Sequence, residues 1–297
     1  MTHADDHPDK LKHDLLKWVE QNRDRSLDWF LDEGPVAVPA VEETVQPAEK
    51  PAAEPSVETP APKPAPPITN PEFQLECDGF VKSVLGLVAQ QPERQLVADP
   101  LLEKHDGDPR QALTELRDEV LPCRLCSLAE TRTQVVFGAG SAHARVMFIG
   151  EAPGRDEDLQ GVPFVGASGQ LLTKIIEAIG FDRRHIFIGN ILKCRPPGNR
   201  DPLPAEVQAC ETYLKRQLAI IRPSIICCLG RVAAQTLLGT DDSLGKLRRT
   251  VHFYEGIPVM ATYHPAALLR NPAWKRDTWN DVRRLRALHD ALDKGKN

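Results

Sequence analysis

No apolar run in these 297 residues is long enough to span a bilayer, and no hydrophobic segment near Met1 has the form of a signal peptide. The sequence is accordingly read as that of a cytoplasmic protein with no membrane partner, and a monomer is expected. No GxGxxG follows a strand-like run and no Walker lysine is present, which argues against the usual dinucleotide and nucleoside-triphosphate cradles. No internal repeat is visible, so solenoids and propellers are excluded. In a reducing compartment the seven cysteines are not expected to form disulfides, which leaves metal ligation or burial as thiols.

What is present is unevenly distributed. The net charge of −5 hides an asymmetry: residues 1–105 carry 10 Lys and Arg against 20 Asp and Glu, a net −10, whereas residues 106–297 carry 27 against 22, a net +5. Only the second part has the sign a nucleic-acid surface requires, although an excess of this size is ordinary and identifies nothing alone. Within 1–33, the spacing of Leu11, Leu15, Leu16, Val19, Leu27, Trp29, Phe30 and Leu31 predicts an amphipathic helix over 8–32, ended by Gly34 and Pro35. Such a helix either docks a protein partner or packs on its own body. Residues 34–71 read as a disordered linker, because 11 of the 26 prolines fall in 35–71 among Ala, Glu and Val. Residues 72–105 read as a helical connector around Phe80, Val81, Val84, Leu85 and Leu87, and the globular body is expected over 106–297.

That body is organised around one stretch. An apolar run at 146–149 reads as a buried strand. It breaks into a loop holding Pro153, Gly154, Gly161, Pro163 and Gly166, and a helix resumes at Ser168 with Leu171, Leu172, Ile175, Ile176 and Ile179 on one side. Four carboxylates, Glu151, Asp156, Glu157 and Asp158, give that loop the wrong sign for a phosphate cradle. Further strands are expected at 185–190, 224–229, 251–254 and 259–262, and helices at 110–120, 205–221, 231–238 and 274–292. Strands alternating with helices predict a three-layer α/β/α fold with a central, mostly parallel sheet. Ligands then belong at the carboxyl ends of the strands, where the loop after Ile149, Asn190, and Tyr263 with His264 all fall.

Cys123 and Cys126 form a CxxC pair. Cys194 lies in KCRPPGNRDP, and Cys210 follows after 15 residues. The pair lacks the strand-then-helix setting of a thioredoxin, and two pairs with loop-like flanks point to a four-thiolate site. Zinc and iron–sulfur clusters both accept such ligands, and the spacing does not choose between them. Cys77, Cys227 and Cys228 read as core thiols.

The order of GEAPG, EDLQGVPFVG, SGQLL, the four cysteines and HPAALLR resembles the family-4, iron–sulfur uracil-DNA glycosylases over roughly residues 106–292. The resemblance implies a uracil-DNA glycosylase-like fold, base excision from uracil-containing DNA in repair, and a [4Fe–4S] cluster on Cys123, Cys126, Cys194 and Cys210 with a mainly structural role. It places Glu151, Ala152 and Pro153 along the uracil site, partly through backbone groups. Glu157 corresponds to a carboxylate that either hinders the 5-methyl of thymine or helps position water and the sugar cation. Position 152 departs from the water-activating aspartate of the family-1 enzymes, so catalysis is expected to rest on the leaving group rather than on a base.

The chemistry of base excision asks for three groups. Phe164 can stack on a flipped pyrimidine. The Asn190 amide carries the donor and acceptor that match uracil O4 and N3–H, a pattern cytosine reverses. His264 can donate to uracil O2 where negative charge develops. Leu268 and Leu269 resemble an apolar wedge for the DNA stack, and Arg195, Arg200 and Arg270 are candidate phosphate contacts. The run Arg183, Arg184, His185 carries no assigned role. Two other readings stand beside this one: a non-catalytic iron–sulfur DNA-binding protein of replication or repair, and an oxidoreductase on the same frame. A pure binder has no need of Asn190, Phe164 and His264 together, and a nicotinamide enzyme should show GxGxxG.

Overall fold

The computed structural model describes residues 71–92 and 96–294. The expected helix over 8–32 and the linker, apart from Pro71, lie outside the described residues. Helix α1 (Pro71–Val88) packs along the last helix, and a short α2 (Pro100–Lys104) precedes α3 (Pro109–Val120). Helix α3 starts where its residues dictate. Pro109 occupies the first helical position, where no N–H is needed, and the Asp108 carboxylate accepts the Arg110 N–H at 2.9 Å.

Among the described residues six strands form one sheet: β1 (Ala139–Gly140), β2 (Val146–Gly150), β3 (Phe187–Asn190), β4 (Ile225–Leu229), β5 (His252–Tyr254) and β6 (Ile257–Thr262). Their order is β1-β3-β2-β4-β6-β5, with β3, β2, β4 and β6 parallel and the short β1 and β5 antiparallel at the edges. Strands β2 and β4 are buried at every position, because helices cover both faces of the sheet. Met147, Ile149, Ile226, Cys228, Val259 and Ala261 face one core with α3, α6 (Pro204–Ile221) and α7 (Arg231–Leu238). Val146, Phe148, Ile225, Cys227, Leu229 and Met260 face the other, with α5 (Ala167–Ala178) and α10 (Lys275–Lys294). A short α8 (Leu244–Leu247) leads to β5. The β5–β6 hairpin turns at Glu255 and Gly256, both at positive φ (47° and 76°), the pairing that matches strand twist.

Three expectations change. The body begins before residue 106: Leu101 belongs to one core, and Val84 of α1 belongs to the other. The loop after β2 is not wholly irregular, since α4 (Arg155–Gln160) forms within it. Its acidic first turn, Asp156, Glu157 and Asp158, is what a helix N-terminus favours. HPAALLR carries helix α9 (Pro265–Arg270), with Pro265 at its first position. Trp274 lies outside the last helix, in a separate 3₁₀ turn, Pro272–Trp274. Among the described residues no helix is long and apolar enough to cross a membrane.

Candidate active site

The chain passes from β2 to β3 on one side, then returns across β2 to β4, so the carboxyl edge opens into a crevice there. A cavity of about 370 Å³ occupies that edge, walled by Glu151, Ala152, Pro153, Glu157, Phe164, Asn190, Arg200, His264 and Arg270. Residues from three strand ends, up to 113 positions apart in sequence, therefore share one space.

Asn190 closes β3 and is 1% exposed. Its Oδ1 is buried and has no hydrogen-bond partner among the described residues. Leaving a buried acceptor unmet costs roughly 1–3 kcal/mol, so an acceptor kept this way at a cavity wall is set for a ligand donor. Gly150 pairs with Asn190 in the parallel register. A Cβ at Gly150 would overlap Asn190 Oδ1 and stand 2.7 Å from Phe164 Cζ, so only glycine lets the ring and the amide approach each other.

Phe164 is held in an unfavourable backbone state, φ +54°, which a bulky residue adopts only when its surroundings impose it. Glu157 supplies much of that constraint. Its Oε1 accepts the N–H groups of Val165 (2.8 Å) and Gly166 (3.0 Å), and its Oε2 accepts Gly154 N–H (3.1 Å). Arg183, given no role from sequence, donates to the Pro163 carbonyl at 2.5 Å and to Thr173 Oγ1 at 2.7 Å. Asp158 accepts Thr133 N–H at 2.9 Å and ties α4 to the neighbouring segment. Gly169 completes the seat, because a Cβ there would lie 2.7 Å from Phe164 Cα and overlap its carbonyl.

His264 caps α9, with its Nδ1 accepting Ala266 N–H at 3.1 Å. An accepting Nδ1 carries no proton, so the neutral ring bears its proton on Nε2 and is a donor there. Burial, with the charge of Arg270, lowers the imidazole pKa to about 4, against an opposing pull from Glu157. The ring lies 5.4 Å from the Phe164 ring, tilted by 32°. Glu151 is driven the other way: burial and the charge of Asp201 raise its carboxyl, opposed by Arg231.

The candidate DNA contacts divide. Arg270 lines the cavity and makes no ion pair among the described residues. Arg200 also lines it, with its guanidinium forked onto Glu206 at 2.6 and 2.9 Å. Arg195 Nε donates to Asn199 Oδ1 at 2.7 Å. Leu268 does not form a wedge: it is 0% exposed in the core beside α5, whereas Leu269 is 48% exposed. Adjacent positions on a helix point about 100° apart, so one of the pair had to turn inward.

The four candidate ligand cysteines line one small cavity, together with Arg132, Lys193 and Tyr213. None of the seven cysteines is in a disulfide. Among the described residues no group of three or more His, Cys, Asp or Glu is arranged to hold a metal ion. Four thiols around one cavity are a donor set that zinc and iron–sulfur clusters both accept. The donor set also fits: Lys193 N–H points at Cys210 Sγ (3.2 Å) and Arg132 at Cys194 Sγ (3.4 Å). Burial pushes the free Cys194 thiol up to about 11 and raises that of Cys210.

Sequence reasoning missed Lys193, which reads as a loop cation and is 1% exposed. Its Nζ donates to the Asn190 carbonyl (2.8 Å) and to Gln217 Oε1 (2.7 Å), and Gln217 Nε2 donates to the Phe137 carbonyl (2.9 Å). This buried cation stands between the cavity and the cysteines, and no local pattern announces it.

Residues 137–283 match the family described as the uracil DNA glycosylase superfamily. The chain is 44% identical over 183 residues to a type-4 uracil-DNA glycosylase of Archaeoglobus fulgidus, covering 59% of this chain and 92% of the relative. It is 40% identical over 191 residues to a type-4 uracil-DNA glycosylase of Thermotoga maritima, covering 63% and 95%. A type-5 uracil-DNA glycosylase of Pyrobaculum aerophilum is 32% identical over 147 residues, covering 43% and 64%. With this fold and cavity, these matches place the chain in the uracil-DNA glycosylase superfamily. Within it, the chain belongs to the type-4 uracil-DNA glycosylase family.

Proposed function

We propose that the protein hydrolyses the N-glycosidic bond of deoxyuridine in DNA, releasing uracil and leaving an abasic site for repair. The observation that carries this reading is the unpaired, buried Asn190 Oδ1 in the same cavity as Phe164 and the Nε2 donor of His264. An extruded uracil stacks on Phe164, gives its N3–H to Asn190 Oδ1 and accepts at O4 from Asn190 Nδ2. Cytosine presents the reverse pattern and leaves the amide unmatched. As the C1′–N1 bond breaks, its electron pair passes to the base, and charge gathers near O2, where His264 Nε2–H donates. Water then bonds to C1′ and yields its proton to solvent. Ala152 offers no carboxylate to activate that water, so stabilising the departing anion is the main contribution. One such donor is worth about 10²–10³ in rate.

Glu157 acts chiefly by holding 163–166 in the shape that presents Phe164, since both its oxygens already accept backbone N–H groups. Cys123, Cys126, Cys194 and Cys210 would hold a [4Fe–4S] cluster, which when bound supplies cross-links between the segment after α3, the loop after β3, and α6. Such thiol ligation suits a reducing compartment such as the cytoplasm. Arg270 and Leu269 face the DNA, with Arg195 and Arg200 at the rim. The test is direct: the protein is incubated with an oligonucleotide carrying one uracil, then treated with alkali. Strand cleavage at uracil, and none at thymine or cytosine in the same position, is expected. Intact uracil strands after prolonged incubation with iron-loaded protein overturn the proposal.

A further inference from the structure

Trp274 is only half-hidden, at 38% exposure, whereas Trp279 on the following helix is buried at 4%. One face of its ring is stacked on Tyr263, with centroids 4.6 Å apart and planes 10° from parallel. The Arg248 guanidinium lies 4.2 Å from the Tyr263 ring centroid, and Arg248 Nε is fixed by Asp281 at 2.7 Å. The same carboxylate accepts Thr262 Oγ1 at 2.7 Å. Guanidinium, phenol and indole therefore form a stack anchored to α10. The indole at its end sits on the turn that directly follows Leu269 and Arg270, with Trp274 N–H bonded to the Asn271 carbonyl at 3.1 Å.

An aromatic ring needed only for packing loses by staying exposed, because covering its surface is favourable. A ring held rigid on one side and left exposed four residues after Arg270, which lines the cavity, has the form of a stacking platform. It can bind a flat partner with little further loss of side-chain freedom. We propose that Trp274 stacks on a nucleobase of the DNA that flanks the extruded nucleotide. This rests on the glycosylase reading and extends it: the apolar contact expected of Leu268 falls instead to Leu269 and Trp274. The contact also bears on the site, because Tyr263 beneath the indole is the immediate neighbour of His264.

The experiment measures affinity of the full, iron-loaded chain for an oligonucleotide carrying 2′-fluorodeoxyuridine, which resists hydrolysis, as a single strand and as a duplex. Trp274→Ala is expected to weaken binding about ten-fold, and Trp274→Phe, which keeps a ring face, to stay near wild type. Loss in both substrates places the stacked base on the uracil strand; loss in the duplex alone places it on the opposite strand. Affinity of Trp274→Ala within two-fold of wild type in both substrates overturns the proposal, as does an equal loss in Trp274→Phe. If Trp274→Ala does not fold, tryptophan emission decides: a DNA-induced quench in wild type should shrink in Trp274→Phe, and an unchanged quench refutes the stack. A wild-type protein that binds neither substrate sinks the glycosylase reading as well.

Discussion

His264 has one ring nitrogen committed and one to offer. Because Nδ1 serves as the cap of α9, the proton resides on Nε2, and burial keeps the ring neutral until about pH 4. The unfolded chain titrates near 6.5. Between those values the unfolded state binds a proton that the folded state refuses, so stability rises with pH across that window and is lost as pH falls towards 4. His264→Gln should flatten this part of the stability–pH curve, measured by urea denaturation between pH 4 and 7. The excision rate of the wild type should likewise show no limb near 6.5. Asn190 makes a complementary case. Asn190→Ala removes an unmet acceptor, so its melting temperature should equal or exceed that of the wild type; a clear fall would show that the amide has a structural partner.

At the scale of elements, the seat of Phe164 is built by α4 and α5 together. Gly169 lies inside α5, where alanine ordinarily gains about 1 kcal/mol. Here the Cβ would overlap the Phe164 carbonyl, so Gly169→Ala is expected to lose about 1–3 kcal/mol and most of its excision activity, measured by denaturant unfolding and uracil release. A stabilised, active variant would show that the strained φ of Phe164 is not imposed by α5. All the strands except the two-residue β1, and the long helices, were legible in the sequence because each is a run of one period with its own terminating residues. Helix α4 was not, since six residues between Gly154 and Gly161 are too few to display a period. Leu268 was misplaced for a related reason: which side of a short helix turns inward depends on what lies beneath it, not on its own letters.

For the whole molecule, the order of elements was enough to bring Phe164, Asn190 and His264 to one edge, because parallel strands put all their carboxyl ends on the same side. What order could not show was how that edge is held. Lys193 sits between Asn190 and Cys210 through contacts with residues distant in the chain. With the proposed cluster bound, the four cysteines would join segments that the sheet leaves apart, so Cys210→Ser should lower bound iron from about four per chain and reduce the melting temperature. Iron content and stability equal to wild type would remove the cluster from this account. The central claim is that one ring, one amide and one imidazole act on a single extruded uracil. It is tested most directly by single-turnover uracil release from one oligonucleotide by wild type, Asn190→Ala and His264→Ala. The account predicts losses of about 100-fold or more in each variant, with folding intact. Rates within three-fold of wild type in both variants would contradict it.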